Sequence, residues 1–213
     1  MSATDHYPDG NPPSEEDLLE TLRDVVEALR AAGLDFLLMG GIGTYSLGRP
    51  RVTQDIDVFI RPGDVERTWQ ALEQAGFEMA EHDPMWLVKG WKRGVLVDVI
   101  FRSSGAIYLD DAMLEHQRAG EYKGVRAPLI SPEDLLVVKA LVSSEANPQH
   151  WYDAMAIISR CELDWEYLLQ RARQAGPRRV LSLLLFAESC DLVVPSTAIQ
   201  ALHDAVHPRE PVA

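Results

Sequence analysis

Asp55 and Asp57 stand one residue apart at the head of the otherwise apolar run Asp55-Ile56-Asp57-Val58-Phe59-Ile60. In a strand, alternate side chains share a face, so both carboxylates project together, roughly 6.5 Å apart, while Ile56 and Val58 point into a core. Two like charges so placed repel unless a cation sits between them, and an all-oxygen cluster suits Mg²⁺. The same tripeptide also serves as a solvated strand end whose acids bond to nearby backbone or arginine. Fifteen residues upstream of Asp55 lies Gly40-Gly41, at the end of the largely apolar run Leu34 to Met39. Glycine lets phosphate oxygens approach the backbone, and a helix starting at Ile42 to Leu47 would offer N–H donors and a positive dipole end. Thr44 and Tyr45 add hydroxyls; the alternative is a tight strand-to-helix turn with no ligand. Between the two motifs, Arg49 and Arg51 are forks suited to phosphate, or else partners for the aspartates, with solvent a further option for Arg49. A two-metal phosphoryl site needs a third carboxylate on a neighbouring strand. Asp98 is the lone charge in Val95-Leu96-Val97-Asp98-Val99-Ile100-Phe101, where burial without a partner would be costly. Asp110 and Asp111 read instead as a helix cap.

These groups need elements to hold them. Residues 1–13 carry three prolines and little apolar content and read as a mobile tail. Ser14 opens an S-x-x-D cap with Asp17, and Leu18, Leu19, Leu22, Val25, Val26 and Leu29 follow at helical spacing until Gly33. Leu34 to Met39 is a buried strand. Arg61-Pro62-Gly63-Asp64 is a turn, with a helix from Asp64 to Ala75. Met85–Val88 and Val95–Phe101 pattern as strands joined through Lys89 to Gly94, a hairpin. Residues 102–125 form a long connection with a short helix near Asp111 to His116, and Val125–Ile130 is one more strand. From Ser131 on only helical patterns remain, opened by Ser131-Pro132-Glu133-Asp134, Asn147-Pro148, Asp164, Pro177 and Ser196. The expected organisation is a tail at 1–13, an α/β (α+β) catalytic domain at 14–130 with a small mixed sheet flanked by helices, and a helical bundle at 131–208.

Composition narrows the function classes. With 46% hydrophobic and 25% charged residues, the 213-residue chain has ordinary globular content. No apolar run approaches the roughly 20 residues that span a bilayer, and the polar, acidic start of the chain resembles no targeting signal, so a cytoplasmic location without membrane association is expected. Cys161 and Cys190 lack metal-type spacing and read as reduced structural thiols. A formal net charge of −13 argues against broad phosphate-backbone binding of nucleic acid and favours a cationic small substrate or a divalent metal.

The pair Gly40-Gly41, thirteen intervening residues and then Asp55-Ile56-Asp57 resembles the signature of the DNA-polymerase-β-type nucleotidyltransferase superfamily. Arg51 to Asp57, R-x-T-x-D-I-D, is similar to the form found in small bacterial members: AbiEii-like toxins, minimal nucleotidyltransferases and antibiotic nucleotidyltransferases. The resemblance implies Asp55 and Asp57 as metal ligands, and Asp98 as third ligand and general base. Many family members have Ser where this chain has Gly41, which loses one hydroxyl contact. Ser131-Pro132-Glu133-Asp134-Leu135-Leu136 with Lys139 resembles the opening of the C-terminal part of the AbiEii-like proteins, and His150-Trp151-Tyr152-Asp153 their aromatic-Asp segment. Lys139, the lone charge between Leu135 and Val142, either reaches a triphosphate or snorkels to the surface. Asp153 is expected to orient Lys139 or an arginine, and His150 to be structural.

The implied activity is transfer of a nucleoside monophosphate from a nucleoside triphosphate to a hydroxyl, releasing pyrophosphate. Mg²⁺ (one or two ions) would sit on Asp55, Asp57 and Asp98, while Gly40, Gly41, Thr44, Arg51 and Lys139 hold the nucleotide. The acceptor stays open among a small antibiotic, a tRNA end and a protein hydroxyl. An antitoxin partner or homodimer is conceivable, and the rival reading is a non-catalytic nucleotide-binding, regulatory or toxin–antitoxin module that keeps the fold.

Overall fold

The structure is a computed structural model that describes residues 13–208, so all of the expected tail except Pro13 lies outside the described residues. The described residues divide into two compact units: residues 13–46, 50–103 and 108–130, and residues 47–49, 104–107 and 131–208.

In the first unit the Ser14 hydroxyl accepts a hydrogen bond from the Asp17 N–H (3.1 Å) and starts helix α1 (Glu15–Ala31). Leu18, Leu22, Val25, Val26 and Leu29 recur at helical spacing and are buried. They form one core with Leu72 and with Ile56, Val58, Val97 and Val99 from the sheet. Truncating any of these leucines should cost about 2–5 kcal/mol. The chain continues through β1 (Phe36–Leu38), α2 (Gly40–Ser46), β2 (Asp55–Ile60), a 3-10 turn at Pro62–Asp64 and α3 (Val65–Gln74). Then follow β3 (Glu78–Asp83), β4 (Leu87–Lys92), β5 (Val95–Ile100), α4 (Asp111–Glu115), β6 (Arg118–Tyr122) and β7 (Val125–Leu129).

The seven strands make one mixed sheet in the order β3-β4-β5-β2-β1-β7-β6. The β2–β5 and β1–β7 pairs are parallel, and the others antiparallel. This is the expected α/β class, with three departures. Lys89 to Lys92 belong to β4 rather than to a loop. The β4–β5 turn is only Arg93-Gly94, both with positive φ (51° and 73°), as a two-residue hairpin of primed type requires. The strands β3 and β6 were invisible in the pattern because they are the two sheet edges. Their sequences, Glu78-Met-Ala-Glu-His-Asp and Arg118-Ala-Gly-Glu-Tyr, carry the charges that keep an edge from pairing with another chain.

The second unit holds α5 (Pro132–Val142), α6 (Gln149–Arg160), α7 (Trp165–Ala175), α8 (Pro177–Ser189) and α9 (Ser196–Val206). Ser131 caps α5 through the Asp134 N–H (3.0 Å), with Pro132 in the first turn. Asp164 caps α7. Pro195 takes the cap position of α9, so Ser196, expected as the cap, is its first residue. Every residue from Pro132 to Ala140 is buried, including Glu133, Asp134 and Lys139. A helix buried on all sides must satisfy such charges internally. The Asp134 carboxylate accepts from Ser131 Oγ (2.9 Å), Tyr167 OH (2.8 Å) and Arg171 Nε (2.8 Å), and Glu133 Oε1 from the Asp164 N–H (2.8 Å). Among the described residues no helix is long and apolar enough to cross a membrane.

Candidate active site

Strand alternation and register decide which acids meet. Ile56, Val58, Val97 and Val99 point into the core shared with α1, so Asp55, Asp57 and Asp98 project from the opposite sheet face. The parallel pairing of β2 with β5 sets Asp57 directly beside Asp98 and Asp55 beside Leu96. Neighbouring strands are about 4.8 Å apart, so Asp57 and Asp98 are close lateral neighbours and Asp55 lies one pleat away. All three are half-buried. The backbone thus gathers the sequence-predicted acids on one face.

The glycine pair acquires a specific cause. Gly40 has φ +55°, the left-handed region that a side chain disfavours, and a Cβ placed there would lie 1.7 Å from Asp57 Oδ2 and 2.9 Å from its Cβ. A Cβ on Gly41 would lie 2.2 Å from Thr53 Oγ1, 2.7 Å from Thr53 Cβ and 3.3 Å from the Arg51 guanidinium. The Met39 N–H donates to the Asp57 carbonyl (3.0 Å), and the Gly43 N–H to the Met39 carbonyl (2.9 Å), tying this turn to the acid-bearing strand. Thr53 Oγ donates to Asp55 Oδ1 (2.7 Å). Thr44 is buried, and its hydroxyl donates to the Gly40 carbonyl (2.7 Å), so it braces the start of α2. Arg51 also lines a cavity of about 330 Å³ with Tyr45, Thr53, Tyr122 and Lys123. That volume lies at the small end of the range of small-molecule sites.

One residue escaped the sequence pattern. Lys89, read there as a hairpin loop residue, lies mid-strand in β4 opposite Asp98 and is only 8% exposed. Its ammonium is 3.8 Å from Asp98 Oδ1. The lateral row Lys89–Asp98–Asp57 therefore crosses three adjacent strands. The available signal was the apolar Met85–Val88 segment, which in fact continues through Lys89.

An oxygen-only donor set of three carboxylates suits a hard divalent cation. Among the described residues no group of three acidic, histidine or cysteine side chains is gathered closely enough to hold an ion. The β2–β5 register nonetheless sets Asp57 beside Asp98 on one sheet face with Asp55. The register and the donor chemistry fit such a cation.

In the second unit Asp153 is fully buried and meets two cations. Lys139 Nζ lies 3.2 Å from Asp153 Oδ2, and the Arg49 guanidinium bonds to Asp153 Oδ1. Lys139 is 3% exposed, so it does not snorkel to a free surface, and its ammonium is 3.2 Å from His150 Nδ1. Asp153 thus orients both Lys139 and an arginine. Arg49 is thus a member of this cluster.

The antigenic nucleotidyltransferase-like protein of Paracoccidioides brasiliensis is 22% identical, covering 90% of this chain and 95% of that one, with a TM-score of 0.57. The antibiotic-resistance factor ANT(2'')-Ia, in its solution structure, is 14% identical over 89% of this chain and 98% of that one, with a TM-score of 0.56. Its crystal structure in complex with adenylyl-2''-tobramycin is 14% identical over 82% and 98%, with a TM-score of 0.53. At these identities the likeness is one of fold. Comparison with curated proteins finds no match. Over residues 14–189, most of its length, the chain matches the family described as uncharacterised nucleotidyltransferase, and it belongs to that family of nucleotidyltransferases.

Proposed function

We propose that the protein transfers a nucleoside monophosphate from a nucleoside triphosphate to a hydroxyl acceptor. The observation that carries this reading is the lateral pairing of Asp57 with Asp98, one pleat from Asp55, beside a glycine turn too tight for any side chain. Asp55, Asp57 and Asp98 would hold Mg²⁺, which when bound supplies neutralisation of phosphate charge and activation of the attacking oxygen. The Gly40-Gly41 backbone and the Arg51 guanidinium receive the β- and γ-phosphates, with Thr44 bracing the turn. The acceptor oxygen bonds to the α-phosphorus, the bond from that phosphorus to the bridging oxygen breaks, and pyrophosphate leaves. Asp98 accepts the acceptor's hydroxyl proton on a carboxylate oxygen.

Asp55, Asp57 and Asp98 outnumber Lys89 and Arg51 at this candidate site, and the chain's net charge of −13 has the same sign. Both favour a small cationic molecule as the hydroxyl acceptor over nucleic acid. The adenylyl-2''-tobramycin complex among the fold neighbours makes adenylylation of such a molecule a natural first assay. The toxin-like alternative, with a tRNA or protein acceptor and an antitoxin partner, is the competing arm.

The test incubates purified protein, Mg²⁺ and each α-labelled nucleoside triphosphate with aminoglycosides, tRNA and a protein extract. Transfer of label to a small cationic acceptor, abolished by Asp57→Asn, is the expected result. The reading fails if no triphosphate binds and Asp57→Asn leaves divalent-metal binding unchanged.

A further inference from the structure

Lys89 occupies an expensive position. It is on an interior strand, paired with β3 on one side and β5 on the other, and is 8% exposed. Burying an ammonium is costly unless a charge is held against it. The charge held against it is Asp98, 3.8 Å away and in register. That separation is an ion pair rather than a short hydrogen bond. On the other side of Asp98 stands Asp57. The lysine therefore offsets repulsion within the three-acid group, a task that a bound cation would otherwise perform.

Resting on the nucleotidyl-transfer reading above, we propose that Lys89 is a positioning residue that makes divalent-cation binding at Asp55, Asp57 and Asp98 contingent on the triphosphate. A lone cation entering the group meets a fixed positive charge and competes with it for Asp98. A cation arriving with a triphosphate brings negative charge that cancels that repulsion. By linkage, each then strengthens the other's binding by the same factor. A unit charge a few ångströms from a divalent ion weakens its binding on the order of tenfold even under full water screening.

Calorimetric titration with Mn²⁺, with and without a non-hydrolysable triphosphate, reads this directly and needs no turnover. In the wild-type protein Mn²⁺ binds weakly alone and much more tightly with the triphosphate. Lys89→Met should tighten nucleotide-free binding on the order of tenfold and shrink the coupling between the two ligands by a similar factor. Lys89→Arg, which keeps the charge, should behave as wild type. Lys89→Gln, neutral but polar, gives the same comparison if the methionine variant does not fold. Equal nucleotide-free Mn²⁺ affinities in the wild type and the neutral variants overturn the role of Lys89, as does an arginine variant that matches them. If the wild type shows no Mn²⁺ binding sensitive to Asp57→Asn, even with triphosphate, the nucleotidyl-transfer reading falls and this inference with it.

Discussion

Two charged clusters, one on a sheet and one on helices, handle burial in opposite ways. In the second unit Asp134 is 1% exposed and meets Arg171, Tyr167 and Ser131, a group whose two charges balance and whose two hydroxyls and guanidinium Nε all donate to the carboxylate. On the sheet face, three half-buried acids lie together, with Lys89 against Asp98. The first arrangement is complete without a ligand and fastens α5 to α7. The second carries surplus negative charge, a state that favours a cation. Asp153 lies between these extremes: it is fully buried, yet two cations converge on it, leaving that cluster net positive. Charge balance, more than burial or residue type, separates the cluster that holds the fold together from the sheet-face acids proposed to take a cation.

Asp57→Asn is the sharpest way to break this contrast. It should lower nucleotidyl transfer on the order of a thousandfold, since metal-borne charge stabilisation is worth several kcal/mol. Thermal unfolding should show no loss of stability, because the change relieves repulsion. Asp134→Ala should do the reverse. It strands the buried Arg171 and should cost about 3–5 kcal/mol in urea unfolding, while the folded fraction keeps its activity. Replacing both partners, Asp134→Leu with Arg171→Met, should recover most of that loss.

Gly40→Ala should damage both properties. The left-handed backbone costs about 1–3 kcal/mol with a side chain, and the added Cβ would displace the Asp57 carboxylate. Reduced stability together with weaker Mn²⁺ binding checks it. Lys139→Met removes one of the cations held against the buried Asp153 carboxylate and should cost about 1.5–3 kcal/mol in urea unfolding, as expected for loss of one charge-assisted contact.

The smallest expected effect is a pH dependence of stability. Burial pushes the Asp134 carboxyl above the usual aspartate value of 3.8, against the pull of Arg171 and the hydroxyls of Tyr167 and Ser131. A carboxyl raised in the folded state favours folding when protonated in both states. That contribution is full below pH 3.8 and is lost as pH rises towards the folded value. The stability difference between wild type and Asp134→Asn should therefore shift against the wild type as pH rises through that window. Paired denaturant melts across it measure the shift.

How much of this was legible in the chain varies by element. The helix starts at Ser14, Ser131 and Asp164 were readable because a cap is a local event, fixed by a side chain and an N–H within three residues. The strands β2 and β5 were readable because interior strands are apolar runs, and Asp57 and Asp98 were conspicuous as charges within them. The edge strands β3 and β6 were not, since an edge must be polar for reasons unrelated to its own core. Lys89 was missed for a related reason: a lysine after an apolar segment looks like the start of a turn, and only the Arg93-Gly94 hairpin places it mid-strand.

The sequence by itself determined the family, the α/β class and the identities of the candidate acids and glycines, because motif spacing and hydrophobic period are properties of neighbours along the chain. Tertiary structure decided what lies beside what. Strand register set Asp98 between Asp57 and Lys89, and close approach of Asp57 and Thr53 explained the two glycines. The fold of the second unit brought Arg49 to Asp153, more than a hundred residues further along. These are contacts between segments far apart in the chain, or choices among several possible partners. Packing and the cost of leaving a buried charge unmatched select among them.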